Sequence, residues 1–144
     1  MGQRQIIPQN VFPPAQPPKT GHYRLRQNSQ RVSSSLSRHV RAEAIVVTSF
    51  DELDKVKDKV KGKIVVYNQG WTNYYDNVVY RAQGGDKAAQ YGAVAALVRS
   101  VASHSIYSVH AGIQYGDKIP IAAITVEDAD MFSRMQARGQ KIEL

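Results

Sequence analysis

The chain contains no cysteine, so disulfide bonds, thiolate zinc sites and a cysteine nucleophile are all excluded. It has no apolar run of about 18 residues, so no membrane-spanning helix is predicted. The first residues lack the apolar stretch of a secretory signal peptide, and none is predicted there. Acidic residues are absent from positions 1–41, which hold seven of the 19 basic residues. The net charge of +7 therefore belongs to this segment, because the remaining residues carry twelve basic and twelve acidic side chains.

Residues 1–41 are predicted to be a disordered basic segment rich in proline, serine and arginine. They contain five of the six prolines and few apolar residues at any regular spacing, so they cannot bury enough surface to offset the entropy of ordering. Such an arm could contact the phosphates of nucleic acid or of an anionic membrane. Nucleic acid is not the favoured partner, because only Phe12 and Tyr23 are available for stacking on bases. A solvated tail is the other interpretation.

Residues 42–144 alternate between apolar runs typical of buried strands and amphipathic stretches typical of helices. The predicted strands are AIVV, KIVVYN, AVAALVRS, IPIAAIT and, at the end, KIEL. Predicted helices follow the first, second and fourth of these, and Ser49 with Glu52 fits a capping box at the start of the first helix. The order indicates a single α/β or α+β domain with short helices.

Two polar and aromatic loops hold the candidate contact residues. The first, NQGWTNYYDN, carries Trp71, Tyr74 and Tyr75, and exposed aromatic side chains often form ligand or partner surfaces. The second contains SHSIYSVH, and its candidates can all donate hydrogen bonds to a bound peptide: His104, Tyr107, His110 and Gln114. Both loops could instead pack against their own domain, and that alternative stays open.

Neither loop has the partners that catalysis would need. Two histidines without a carboxylate between Gly92 and Gly116 fall short of the three or four ligands of a zinc site. The G-x-S-x-G pattern of a serine nucleophile is also missing. We therefore predict no catalytic, cofactor-binding or metal-binding residue in this chain.

Four stretches together resemble the protease-associated (PA) domain, and in particular that of the carboxypeptidase Q-like zinc metallopeptidases. They are GKIVVYN, the run from Arg81-Ala82 through KAAQYGAVAALV, KIPIAAIT, and TVEDADMFSRMQARGQKIEL. The resemblance covers about residues 42–144 and implies a mixed β-sheet or open barrel with short flanking helices. Residues 1–41 do not resemble the family.

The resemblance also implies a function. Family members are secreted or lysosomal exopeptidases in which two zinc ions in a separate peptidase domain cleave small peptides, while the PA domain caps the active-site cleft. The family's zinc ligands follow the point where this chain ends. We therefore expect an accessory domain that gates substrate access or contacts another protein, that needs a peptidase domain as its partner, and that is inactive by itself.

Two alternatives remain at this stage. The chain could be a stand-alone interaction module that uses its basic segment on nucleic acid or an anionic membrane. It could also be a fragment of a dizinc dipeptidase or carboxypeptidase whose peptidase domain is missing.

Overall fold

The computed structural model describes residues 39–105, 108–110, 112 and 114–144. Tyr107 and residues 1–38 of the basic segment lie outside these ranges, so the disorder predicted for that segment stays a prediction. The described part is an α/β domain, as the sequence predicts.

The centre of the domain is a parallel sheet in which the strands lie side by side in chain order. Its strands are β1 (Ala44–Val47), β2 (Ile64–Tyr67), β3 (Ala95–Arg99) and β4 (Ile121–Ile124). All three pairings are parallel, with Ile64 opposite both Ala44 and Ala95. The strands consist largely of β-branched residues and alanine, and β2 is buried along its whole length, as expected for a central strand covered on both faces.

Helices cover both faces of the sheet. On one face, α1 (Phe50–Lys55), a following 3-10 turn (Lys57–Lys59) and α2 (Tyr74–Gln90) pack over a core that includes Leu53, Val60, Tyr67 and Ala88. On the other face, α3 (Val126–Ala137) contributes Ala129 and Phe132 to a second core, against which Val40 also packs. The long segment between β3 and β4 crosses back over α2, where the Tyr115 N–H donates to the Ala82 carbonyl at 3.0 Å.

Side-chain caps decide where the helices begin. The Ser49 hydroxyl accepts from the Glu52 N–H, and the Glu52 carboxylate accepts from the Thr48 N–H at 2.6 Å, which is the predicted capping box shifted by one residue. Asn73 caps α2 by accepting from the Asp76 N–H at 3.0 Å. This cap corrects the sequence interpretation, because Tyr74 and Tyr75 lie in the first turn of a helix and not in a loop.

The prediction of a last strand at KIEL was wrong. Its residues form one antiparallel bridge between Glu43 and Glu143, flanked by hydrogen bonds of Ala42 and Ala44 to the C-terminal residues. The segment therefore adds a short antiparallel edge beside β1, and the regular strands of the sheet are all parallel.

Candidate functional site

Exposed aromatic side chains gather at the carboxyl end of the sheet, where α2 begins. Tyr75 is 83% exposed and Tyr74 is 41% exposed, and their rings meet edge to face at 6.0 Å between centroids. The His110 ring meets Tyr74 edge to face at 5.6 Å. We call Tyr74, Tyr75 and His110 the aromatic surface. Trp71, which is 40% exposed, lies just before it in the turn that leads into α2.

The turn that carries Trp71 is held by a buried amide. Asn77 is 3% exposed; its Nδ2 donates to the Gly70 carbonyl at 2.7 Å, and its Oδ1 accepts from the Thr72 N–H at 3.1 Å. These bonds tie both sides of Trp71 to the second turn of α2. A turn whose backbone is fixed before binding loses less entropy when a partner arrives.

Arg81 contacts Tyr74 of the aromatic surface. Its Nη2 donates to the Tyr74 hydroxyl at 3.2 Å, and its guanidinium carbon lies 5.9 Å from the centre of that ring. The loop covers the same group closely, since a Cβ at Gly112 would lie 2.8 Å from the guanidinium carbon. Within the described part of the chain, the Arg81 Nε and Nη1 are buried and have no hydrogen-bond partner. Arg81 therefore positions Tyr74, and two of its three guanidinium nitrogens are screened from solvent.

The candidate residues in the loop after β3 have different surroundings. The backbone N–H of His110 donates to the Ser100 hydroxyl at 2.7 Å, which places its ring beside Tyr74. His104 is exposed, and its Nδ1 lies 3.0 Å from the Ser103 hydroxyl oxygen. Gln114 turns back to its own loop and donates to the Gly116 carbonyl. The contact roles of all these residues, and of Tyr107 beyond the described ranges, remain predictions.

The sequence analysis did not predict the partners within two further hydrogen-bond systems at the strand ends. Arg99 Nη1 donates to Asn68 Oδ1 at 2.9 Å and to Asp130 Oδ1 at 3.1 Å, which ties β2, β3 and α3 together. The Ser105 hydroxyl donates to Glu127 at 2.8 Å and accepts from the Val126 N–H at 2.7 Å, which anchors the loop to the start of α3. A cue exists only for Asn68, a polar side chain directly after a buried strand.

The described residues offer no zinc-binding set. No group of three or more histidine, aspartate or glutamate side chains within them could hold a metal ion. Among the helices that the structure describes, none is both long and apolar enough to cross a membrane.

The described residues thus form an α/β domain with an exposed aromatic surface, and the polar groups at its strand ends are engaged in internal bonds. Comparison with known proteins then identifies the family: the model of the PA domain matches residues 30–132, and the chain belongs to the PA-domain family. The predicted resemblance is thereby confirmed.

Carboxypeptidase Q of Homo sapiens is 59% identical over 107 residues, and that of Mus musculus is 58% identical over the same length. These matches cover 72% of this chain but 23% of the relatives, so the chain spans about a quarter of their length. A solved structure, the peptidase M28 precursor from Shewanella amazonensis SB2B, superposes with a TM-score of 0.66 at 23% identity. It covers 72% of this chain and 26% of that one, and it supports the fold alone.

Proposed function

We propose that this chain is the accessory PA domain of a carboxypeptidase Q-like metallopeptidase, where it contacts the peptidase domain and shapes the entry of small peptides. The observation that carries the proposal is the aromatic surface, which is exposed while its supporting groups are fixed. The identity of 53–59% to carboxypeptidase Q supports the choice of enzyme family.

Aromatic rings suit this role because they bury a large area with few rotatable bonds. Tyrosine and tryptophan are enriched among the residues that dominate binding energies, particularly where neighbouring contacts exclude water. Tyr75 and Trp71 would supply the contact area, and Tyr74 would hold His110 beside them. The His110 ring nitrogens could then hydrogen-bond to a peptide or to the facing domain.

The zinc chemistry would belong to the peptidase domain of the complete enzyme. A pair of bound metal ions there would polarise the scissile carbonyl and generate the attacking hydroxide. This chain would contribute orientation and access, and a secreted or lysosomal location stays a prediction from the family resemblance.

The proposal can be tested by grafting. The PA region of human carboxypeptidase Q is replaced by the matching residues of this chain, and dipeptide hydrolysis is followed to obtain kcat and KM. We expect the graft to be active. Changing Trp71→Ser and Tyr75→Ser together should lower kcat/KM by about tenfold, since loss of one or two central aromatic contacts typically costs about 1–2 kcal/mol.

The matched control is Tyr115→Ser, because Tyr115 is exposed to a similar degree, 78%, but has no place in the aromatic surface. Equal effects of the control and of the double variant would contradict a specific role for Trp71 and Tyr75. Dipeptide hydrolysis by this chain alone, abolished by a chelator, would contradict the accessory function itself.

A further inference from the structure

A run of lysines leads from α1 into the amino end of β2. Residues 53–63 hold five lysines and two aspartates, so this short segment carries a net charge of +3. Lys55 is the last residue of α1, and three further lysines lie in the 3-10 turn and just after it: Lys57, Lys59 and Lys61. All four side chains are exposed. We call these four residues the lysine face.

Apolar residues between these lysines hold the segment against the domain. Val60 is fully buried, and Val56 packs on the same core beneath α1 and α2. The far end of the segment is also held, because the Gly62 N–H donates to the Gly92 carbonyl at 2.8 Å. The lysines that alternate with these anchors are therefore presented outward on a fixed backbone, which lowers the entropy cost of binding. They lie at the end of the sheet opposite to the aromatic surface.

Nearby acidic side chains leave most of this charge uncompensated. The Asp54 carboxylate accepts from the Tyr91 hydroxyl at 2.7 Å and lies 3.7 Å from the Lys87 Nζ, so it is engaged with the end of α2. None of the ion pairs found among the described residues involves a lysine of the lysine face. Within residues 55–61, Asp58 is the one acidic residue. The lysine face therefore keeps an excess of positive charge.

The acidic residues that begin α2 and α3 are too distant to neutralise the lysine face. Both helices begin at the carboxyl end of the sheet, with Asp76, Glu127 and Asp128 in their first turns. Because a helix rises about 1.5 Å per residue, Asp76 lies roughly 20 Å from the other end of α2. Just beyond that end, Gly92 contacts Lys61. Exposed charges are largely screened beyond about 8 Å at physiological salt, so the lysine face acts as a separate basic surface.

We propose that the lysine face binds a linear sulfated polysaccharide. The lysine ammonium group is a compact charge with three donors, and it attracts anionic groups without the planar geometry that arginine selects. A membrane-binding surface also inserts apolar side chains, and a site for single-stranded nucleic acid stacks bases on aromatic rings. A chain of sulfates in water needs neither. The large apolar or aromatic side chains that are exposed among the described residues lie outside residues 53–63: Trp71, Tyr74, Tyr75 and Tyr115. This binding leaves the aromatic surface free, so it does not depend on the proposed contact with a peptidase domain.

The test compares two variants of the complete chain that lose the same number of positive charges. The first is K55Q/K57Q/K59Q/K61Q, and the second is R24Q/R26Q/R31Q/R38Q in the basic segment. Calorimetric titration with a heparin oligosaccharide measures affinity over a range of salt concentrations. The lysine variant should bind at least about tenfold more weakly at about 50 mM salt. Its slope of log affinity against log salt should be less steep by about three, because each lost contact contributes about 0.7–0.9. The arginine variant should keep most of the affinity.

Two controls separate charge from folding and from the kind of polyanion. K55R/K57R/K59R/K61R keeps the charge and should bind as the unchanged protein does, with the same far-ultraviolet circular dichroism. Titration of the unchanged protein, followed by nuclear magnetic resonance, should shift the amide signals of residues 55–63 and leave that of Tyr75 in place. Equal losses of affinity in the two glutamine variants would overturn the inference, as would amide shifts confined to residues 1–38. Tighter binding to phosphatidylserine vesicles or to duplex DNA than to the heparin oligosaccharide would overturn the choice of ligand.

Discussion

Replacing Gly84 with alanine should destabilise the protein, although alanine is the better helix former. Gly84 lies inside α2, where a glycine costs about 1 kcal/mol of stability relative to alanine. A Cβ at this position would, however, lie 2.8 Å from Cε2 of the Tyr67 ring. Tyr67 is fully buried, and its ring contacts those of Phe50 and Tyr80 at centroid distances of 5.6 and 5.7 Å, so it has little room to move.

The opposing effects can be compared directly. Overpacking a filled core costs about 1–3 kcal/mol. Displacing the ring would also break the 2.8 Å bond from the Tyr67 hydroxyl to the Gly84 carbonyl, at a further cost of about 1 kcal/mol. After the gain in helix propensity is subtracted, the free energy of unfolding should fall by about 1–3 kcal/mol.

The neighbouring glycine provides the control. A Cβ at Gly85 would meet the Gln114 amide at 3.3 Å and the Ile121 Cδ1 at 3.7 Å, both on side chains that can shift. Gly85→Ala should therefore be neutral or stabilise the protein by up to about 1 kcal/mol. Urea unfolding followed by circular dichroism compares the variants. If G84A proved as stable as G85A, the close packing of α2 on Tyr67 could not be the reason for the glycine.

The remaining predictions concern charged groups. Arg99→Lys should lower the free energy of unfolding by about 1–2 kcal/mol, because a lysine cannot donate to Asn68 and Asp130 in the same geometry. The control in urea unfolding is Arg138→Lys, at an exposed position. Equal losses of stability in the two variants would contradict the role of the Arg99 hydrogen bonds. The hydrogen bond from Lys63, helped by its charge, lowers the pKa of Glu43, so the folded-state pKa lies below the unfolded one. The resulting stability is present above the unfolded pKa and is lost as pH falls through the folded value. Lys63→Met should therefore flatten the fall in melting temperature below about pH 4. An unchanged slope of melting temperature against pH would refute this.

The strands were predictable because runs of consecutive apolar residues indicate that they are buried. The runs that form β1 and β2 are uninterrupted and β-branched, and such runs fit a sheet covered on both faces. Helix starts were partly predictable, since Ser49 and Thr125 are local cap signals. The same signal at Asn73 was outweighed by the aromatic residues that follow it, because tyrosine is a weak helix former.

The contacts of the candidate site could not be predicted, because they join residues that lie far apart in the chain. The edge-to-face contact of His110 with Tyr74 depends on where the loop after β3 crosses α2, and no local pattern encodes that crossing. Arg99 is similar: its partners come from the end of β2 and from α3, and only the parallel register brings them together. The residue types were therefore found from sequence, but their grouping was not.

At the carboxyl end of the sheet, polar side chains bond within the domain, whereas aromatic side chains are exposed. Asn77 and Ser105 each use side-chain polar atoms to hold a loop, and Arg99 joins two strand ends to α3. Polar groups that are committed to the fold are poor catalysts, since a catalytic group must exchange protons or bonds with a substrate. What this end of the domain presents outward is a set of rings on a fixed base, and such a surface suits recognition of another molecule. A sheet whose strand ends are tied in this way can hold that surface rigid against a partner, and the proposed accessory role requires such rigidity.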